Sequence, residues 1–494
     1  MDDKQDLGAD LPITLLGTNF APKDGATNVE PRTKISFSIN ASIDEDALNE
    51  GSFLIRSADE TIPASLSYDS TTRTLILSPI QSLPLATQID VSYTSLIADR
   101  QGNTIRPGQW SFTTRGGKWS PTQTLTQDIS ENVFEPQISV NAQGVPTVIW
   151  GQENDGGFSS LYSSTVVNTE WTAPHALDFG VENALGGKIT TDGQRQYVAW
   201  SQKAGQSNNS SIWAIQSSMS EWNEAKELEA SPNFIDSVSV KSSGRASTYL
   251  VWRSQVPNGP ATIRISHLEA GLWSAPVTLG NGDVEDLQLM VDEHGTPTIA
   301  WRAINDLVIV RDNTGTNVFS DLVFLSRQGS NLRLATNNNG ESFAIWLEGN
   351  SSSGRSITLS EYVNDAWSSP ETIYSTASLT NVAFDINNNR EALITWVENN
   401  QVLAISVNDG QGTLKEIGSR FEANLDVKID EDGNGFATWE SASGIHVRRF
   451  EKGKGWSDSR TIMNGRDSQI FVEKIGSWLV WAEGGTQIML ERFE

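Results

Sequence analysis

The sequence predicts an all-β protein: a small antiparallel sandwich followed by an eight-bladed β-propeller, with seven blades as the runner-up. Three observations carry that reading. Short apolar strands alternate with turn residues from Leu15 to Thr114, a strand–turn–strand unit ending in Trp then returns eight times, and the two ends of the repeat region are out of phase by one strand.

Composition bounds the rest. The chain has 494 residues with 17 Trp and 40 Gly, too aromatic and too rich in turn formers for a disordered chain. A net charge of -26 opposes binding to nucleic acid or anionic membrane surfaces, both of which are held through clustered Lys and Arg. There is no Cys, so disulfides, thiol catalysis and thiolate metal sites are unavailable. No stretch approaches the roughly 20 apolar residues of a membrane span. Residues 1–14 are polar and acidic and read as a flexible tether, to which a lipidated N-terminus removed from this sequence could have joined the chain to a membrane.

The segment 15–115 reads as the sandwich. Its strands are "TKISFSI", "SFLIRS", "PASLSYD", "RTLILSP", "QIDVSYTS" and "QWSFTTR". Gly25, Gly102 and Asn103 suit turn positions with positive φ, and Asp24 and Asp99 can cap those turns. Phe37, Trp110 and Phe112 are core candidates. With Val29, these residues sit in "APKDGATNVEPRTKISFSI" and "IADRQGNTIRPGQWSFTT", a pattern that resembles the Ig-like modules of bacterial surface and S-layer proteins. The resemblance implies an Ig-like β-sandwich serving as a spacer or stalk outside the cell, and it carries no activity.

The segment 116–494 reads as the propeller. Trp150, Trp200, Trp252, Trp301, Trp346, Trp396, Trp439 and Trp481 recur at spacings of 42 to 52 residues, each closing a hairpin such as "LMVDEHGTPTIAW". Their turns are built from Asn, Asp and Gly, as tight hairpins require. A third strand follows, and then a fourth that usually opens on a second aromatic ("KWSPTQTL", "LWSAPVTL"); the copy "GTLKEIG" lacks it. The region starts with a fourth strand and stops after a third. Strand 118–125 is therefore expected to join the last blade and close the ring, leaving no free edge. A blade buries both faces only between neighbours, so the eight Trp are expected where sheet meets sheet.

The W-S-x-P and G…W repeats resemble the propellers of secreted bacterial proteins, sialidase-like and lectin-like ones among them. The sialidase signature itself is missing: "SVNDGQGT", from Ser406, puts Asp409 one place late for an Asp-box. His175, His267, His294 and His446 fall in four different repeats, which opposes a His-based triad or metal site. "DEDGNG", from Asp430, lacks the Glu and the helices of a calcium loop and aligns with the hairpin turns. No cofactor is implied, and calcium has no specific motif.

One constellation remains. Two residues beyond the blade Trp stand Gln152, Gln202, Glu348, Glu398 and Glu483, on one face of each strand end. They are expected near the rim carrying the acidic loops "TQDISENVFEP", "DFGVENA", "GNGDVED" and "SRFEANLD". Trp213 and Trp478 lie off the repeat and are candidate exposed aromatics. Such a rim suits sugar hydroxyls, a cation or a basic segment.

The preferred expectation is an extracellular, periplasmic or cell-surface recognition protein whose stalk presents a propeller to a polysaccharide or to a surface or envelope protein. The alternatives are an extracellular glycoside hydrolase or lyase using Glu348, Glu398 or Glu483 at the propeller mouth, and a scaffold subunit of a cell-envelope complex.

Overall fold

The computed structural model describes residues 15–57, 60–80, 82–126, 132–153, 156–179, 182–203, 209–218, 221–231, 233–244, 247–256, 259–282, 284–304, 306–312, 319–350, 354–408, 411–473 and 476–494. The expected tether 1–14 lies outside them. The chain forms two compact units that part near Ser120.

The first unit is a sandwich of two sheets. One holds Gly17–Ala21, Ile35–Ile39, Thr74–Pro79 and Ala64–Asp69 in that order; the other holds Ala26–Val29, Gly108–Thr114, Gln88–Tyr93, Phe53–Ser57 and Glu60–Thr61. The first stretch of chain thus serves both sheets, pairing antiparallel with Ile35–Ile39 and then parallel with Gly108–Thr114. Alternating strand residues fill the space between, with Ile35, Phe37, Leu75, Trp110 and Phe112 all buried. Trp110 donates its indole N–H to the Pro22 carbonyl at 3.1 Å, satisfying the one polar atom this large side chain brings inside.

The turn residues act as predicted with one exception. Gly25 and Gly102 have φ of 71° and 84°. Asp24 accepts the Ser111 N–H, and Asp99 accepts the N–H groups of Gln101 and Asn103. Asn103 is absent from the left-handed residues; its side-chain amide instead donates to Asp99 at 2.8 Å, which holds that carboxyl below the usual carboxylate range.

The second unit contains eight sheets among the described residues, spanning 133–176, 183–231, 234–282, 284–326, 329–376, 379–419, 423–463 and 465–493, the last completed by Gln123–Thr124. In each, the strands lie side by side in chain order. The first strand of every sheet lies against the first strand of the next, and that of the eighth lies against that of the first, so the sheets surround an axis as a propeller.

Local chemistry explains each part of the repeat. In six of the hairpins an Asn or Asp at the turn start (Asn141, Asp192, Asp292, Asn337, Asn387, Asp430) accepts N–H groups from two to four residues ahead, replacing a backbone turn with a side chain. "DEDGNG" is one of these turns.

The fourth strand is broken in two after its Trp in the first, second, third, fifth and seventh sheets, as in Glu170–Trp171 and His175–Ala176, both paired with Ser159–Val167. In five of the sheets a hydroxyl just after the outer-strand aromatic takes the place of a ladder carbonyl. Thr172, Ser274, Ser320, Ser368 and Ser457 accept the third-strand N–H of Thr165, His267, Arg311, Glu361 and Arg449. The sixth sheet, whose copy has no outer-strand aromatic, keeps one unbroken outer strand, Gln411–Ser419.

All eight repeat Trp are at most 2% exposed. Seven of them share a core cluster with the preceding sheet: Trp252 packs with Tyr197, Ala199 and Ile212, Trp396 with Ile345 and Ile357, and Trp150 with Leu125, Ile488 and Leu490 of the eighth sheet. Removing a buried Trp of this kind costs about 3–5 kcal/mol.

The strand from the start of the region closes the ring. Gln123 and Thr124 pair with Leu490 and Met489, the Leu125 N–H reaches the Ile488 carbonyl at 2.8 Å, and the Ile488 N–H reaches the Thr126 hydroxyl at 3.0 Å. Glu491, 2% exposed, fastens the junction by accepting from Thr122 and from the Arg460 guanidinium of the seventh sheet.

Two outcomes follow from this geometry. Glu491→Ala strands Arg460 and the Thr122 hydroxyl, so it should lower stability by about 2 kcal/mol and raise amide exchange selectively in 123–126 and 487–492; an unchanged exchange pattern would contradict the clamp. The second concerns Asp430, whose carboxyl is pushed up to about 7 by desolvation, with the neighbouring Asp432 adding to the shift against its turn N–H donors and Asn434. Because the folded state retains a proton that the unfolded chain has released, Asp430's contribution is intact below about pH 4 and is lost as pH rises through about 7. Asp430→Asn keeps the turn acceptor without the charge. It should therefore raise the melting temperature at pH 8 and have little effect at pH 3.5, as measured by calorimetry across pH.

Candidate functional site

The Gln and Glu residues two places beyond the blade Trp end the second strands, as their spacing implies. Three of them face the same group. Gln152 accepts the indole N–H of Trp150 at 3.2 Å, Gln202 that of Trp200 at 2.8 Å, and Glu348 that of Trp346 at 2.8 Å. A side chain two residues along a strand lies on the same face, so this motif supplies an acceptor to a donor that burial would otherwise orphan.

Glu398 does otherwise: it accepts from the Tyr374 hydroxyl at 3.0 Å and the Thr376 hydroxyl at 2.7 Å, while the Trp396 indole N–H has no partner among the described residues. Desolvation first, and then this carboxylate, raise the Tyr374 pKa. Glu483 is half-buried at the end of its strand, and the Trp481 N–H is likewise unpartnered among the described residues. These five residues belong to five different sheets, and no hydrogen bond joins any two of them among the described residues.

The seventh sheet has Ser441 at the equivalent place. Its hydroxyl lies 2.8 Å from His446 Nε2, and the His446 ring stacks on Trp439 at 5.2 Å with its pKa lowered by desolvation. His175, His267 and His294 lie in the first, third and fourth sheets.

The second sheet brings two of the predicted residues together. Trp213, on the third strand, stacks on Trp200 with ring centroids 6.5 Å apart, so Trp213 and Gln202 flank one buried indole. Its own N–H goes to the Ser211 hydroxyl at 3.0 Å. Phe179, from the loop entering this sheet, meets Trp213 edge-on at 5.0 Å and remains 57% exposed.

Beside this ledge lies an open recess of about 350 Å³ lined by Glu182, Gln202, Asn209, Ser210, Ser211, Ala230 and Ser231. The Ser210 hydroxyl, on a residue 5% exposed, has no hydrogen-bond partner among the described residues. Gln202 spends its oxygen on Trp200, which fixes the amide at the wall of the recess. Phe179 is the residue that sequence spacing misses, because no repeat carries it; the only signal is an aromatic inside the polar loop "DFGVENA".

Trp478, the other off-pattern aromatic, is engaged by its neighbours. Trp171 meets it edge-on at 6.2 Å and the Arg492 guanidinium lies over its ring at 5.3 Å. The acidic loops are described in part: 127–131, 180–181 and 283 lie outside the described residues, as does Asp409 of the near Asp-box.

Swaps that keep an indole acceptor should be nearly silent, and one that deletes it should not. Glu348→Gln should stay within about 0.5 kcal/mol of the parent, while Gln202→Leu, which leaves the Trp200 N–H buried and unpaired, should cost about 1–3 kcal/mol in denaturant unfolding. Equal losses in both would show that charge, and not acceptance, is what position 348 supplies.

The first unit matches the family model described as a bacterial Ig-like domain over residues 12–114. No curated protein matches the chain. Among solved structures, a Hadza microbial sialidase aligns over 80% of this chain and 94% of its own at 9% identity with a TM-score of 0.37. The β-propeller domain of the trilobed protease from Pyrococcus furiosus aligns over 67% and 95% at 10% identity with a TM-score of 0.42. A polysaccharide lyase aligns over 70% and 96% at 10% identity with a TM-score of 0.39. Residues 12–114 are thus a bacterial Ig-like domain, joined to a propeller.

Proposed function

We propose that this protein is a recognition module acting outside the cytoplasm, in which an Ig-like stalk carries a propeller that binds a polysaccharide. The observation that carries the reading is the ledge of Phe179 and Trp213 beside the recess at Gln202 and Ser210. A sugar ring offers an apolar C–H face and a girdle of hydroxyls. It therefore calls for one exposed aromatic surface with amide, hydroxyl and carboxylate groups at its edge. The Gln202 amide is held in place by the Trp200 indole before any ligand arrives, which lowers the ordering cost of binding.

Support for a binder over a hydrolase comes from where the carboxylates are engaged. Glu348 serves the indole two residues before it, and Glu398 serves two hydroxyls on the outer strand of the neighbouring fifth sheet. The carboxyls with raised pKa values, Asp385 and Asp430, lie on a first strand and in a hairpin turn, away from this ledge in sequence and sheet.

A glycan array probed with the intact protein, paired with reducing-end release from any polysaccharide retained, tests the proposal. The expected result is binding without product, weakened about tenfold by Phe179→Ala or Trp213→Ala, the scale of one lost aromatic contact. Product release would instead favour a hydrolase or lyase and direct attention to Glu348, Glu398 and Glu483. Silence on every glycan would remove the polysaccharide reading in favour of a protein partner.

A further inference from the structure

The first strand of a blade has one edge paired with the second strand and the other turned to the axis. Between the sheets this inner edge is capped in a regular way. Thr190 accepts the Ser242 N–H of the next sheet at 3.2 Å, Asp286 that of Asn331 at 3.0 Å, Asn331 that of Val382 at 2.8 Å, Asp385 that of Ile429 at 3.0 Å, and Gln469 that of Ile138. A register shift occurs at the same place in seven first strands, between Phe134 and Gln137, Leu185 and Lys188, Asp236 and Ser239, Glu285 and Gln288, Ser330 and Arg333, Leu379 and Val382, and Ala423 and Asp426. A bulge re-aims the residues that follow it.

Register then sorts the charged residues into two levels. Lys188, Arg333 and Asp426 pair with Ala199, Ile345 and Thr438, each one residue before its sheet's Trp. Lys241, Asp385 and Lys428 pair with Tyr249, Leu393 and Phe436, each three residues before it. The levels are two residues apart along the strand, so they are stacked about 7 Å from one another.

These side chains converge although they come from five sheets. The pKa of Lys241 is lowered first by desolvation and then by the charges of Lys428 and Lys188, with Asp426 and Asp385 acting in the opposite sense. The third and seventh sheets stand on opposite sides of a ring of eight, so Lys241 and Lys428 address each other across the axis. Lys241 is nevertheless exposed to solvent. A group that is both solvent-exposed and close to charges from other sheets lies on the wall of a solvent-open passage along the axis.

Charge on that wall is unevenly paired. Lys428 has Asp426 at 3.7 Å, and Asp385 and Asp426 together hold its pKa up. Arg333 gives one N–H to the Leu332 carbonyl at 2.8 Å. Neither Lys188 nor Lys241 forms a hydrogen bond or ion pair with a carboxylate among the described residues. At these levels four cations face Asp385 and Asp426, while Glu135 and Asp286, at the register shifts of their own first strands, act on Lys188 and Arg333 without forming an ion pair with either among the described residues. Cations enclosed without partners are costly, and what relieves the cost is an anion with oxygen acceptors.

We propose that the axial channel of the propeller is an anion-binding site, in which Lys241, Lys188 and Arg333 hold a small multivalent oxyanion bearing carboxylate, sulfate or phosphate groups. The site is separate from the Phe179–Trp213 ledge and does not depend on it. Two cation levels about 7 Å apart suit either a ligand with acidic groups at both ends or a compact dianion at one level.

Calorimetric titration of the intact protein at low ionic strength with sodium sulfate and, in a second arm, sodium citrate tests this, with sodium chloride as the reference. The expected result is saturable uptake of sulfate or citrate with a dissociation constant below about 1 mM, absent with chloride. Tighter citrate than sulfate would identify a ligand spanning both levels, and the reverse a compact dianion.

Lys241→Met should weaken that uptake at least tenfold while leaving the anion-free melting temperature equal to or above that of the parent, because it removes a cation that has no partner. Arg333→Gln provides a second, independent variant should Lys241→Met fail to fold, and the exposed outer-strand substitution Lys415→Met should leave binding unchanged. No saturable uptake by the parent protein, or unaltered uptake in both channel variants, would overturn the proposal.

Discussion

A single blade is a four-stranded sheet with two apolar faces and no means of burying either alone. Everything in the second unit follows from that constraint. The Trp at the end of each second strand is the piece that reaches the preceding sheet, and all eight are buried between neighbours. A buried indole brings a polar N–H with it, and the protein answers in more than one way: an amide or carboxylate two residues on for Trp150, Trp200 and Trp346, and Glu229 of the preceding outer-strand segment for Trp252. The residue after the aromatic of the outer strand solves a companion problem. Its hydroxyl replaces a ladder carbonyl where the strand is broken, so the W-S signature is a hydrogen-bond device as much as an apolar one.

Much of this was legible because it is local. Hairpin turns, strand alternation and the Trp period all operate within about a dozen residues, and the out-of-phase ends announce the shared eighth sheet. The Ig-like domain was legible for the same reason, down to Asp24 and Asp99 at their turns. Asn103 was assigned a backbone role and has a side-chain one; a turn that can be held by an Asp carboxylate does not need a left-handed Asn. The W-x-Q/E pattern was visible as well, but which group it faces depends on the indole's orientation, which spacing does not reveal.

What stayed hidden depends on register and on closure of the ring. A bulge moves every later side chain to the other face, and nothing in "GGKIT" or "VSVKSS" announces one. Lys188 and Lys241 therefore look like ordinary polar residues of solvated strands. They meet only because first strands, seven of them with the same bulge among the described residues, stand around one axis. Phe179 is similar: it is a lone aromatic in a loop until the chain delivers Trp213 beneath it.

The two candidate binding regions differ in how they were made available. The ledge at Phe179 lies on loops and strand ends, where a side chain can change without disturbing the packing between sheets, and its polar groups are few and individually placed. The channel wall is made of the first strands themselves. Those strands already cap one another's inner N–H groups with Thr190, Asp286, Asn331, Asp385 and Gln469, so a change there touches both a neighbour's backbone and the axial charge. Lys188 and Lys241 are exceptions, since no inner-edge N–H depends on them. A cation kept in this passage without a structural duty raises the energy of the empty state, and that raised energy is what an arriving anion would release.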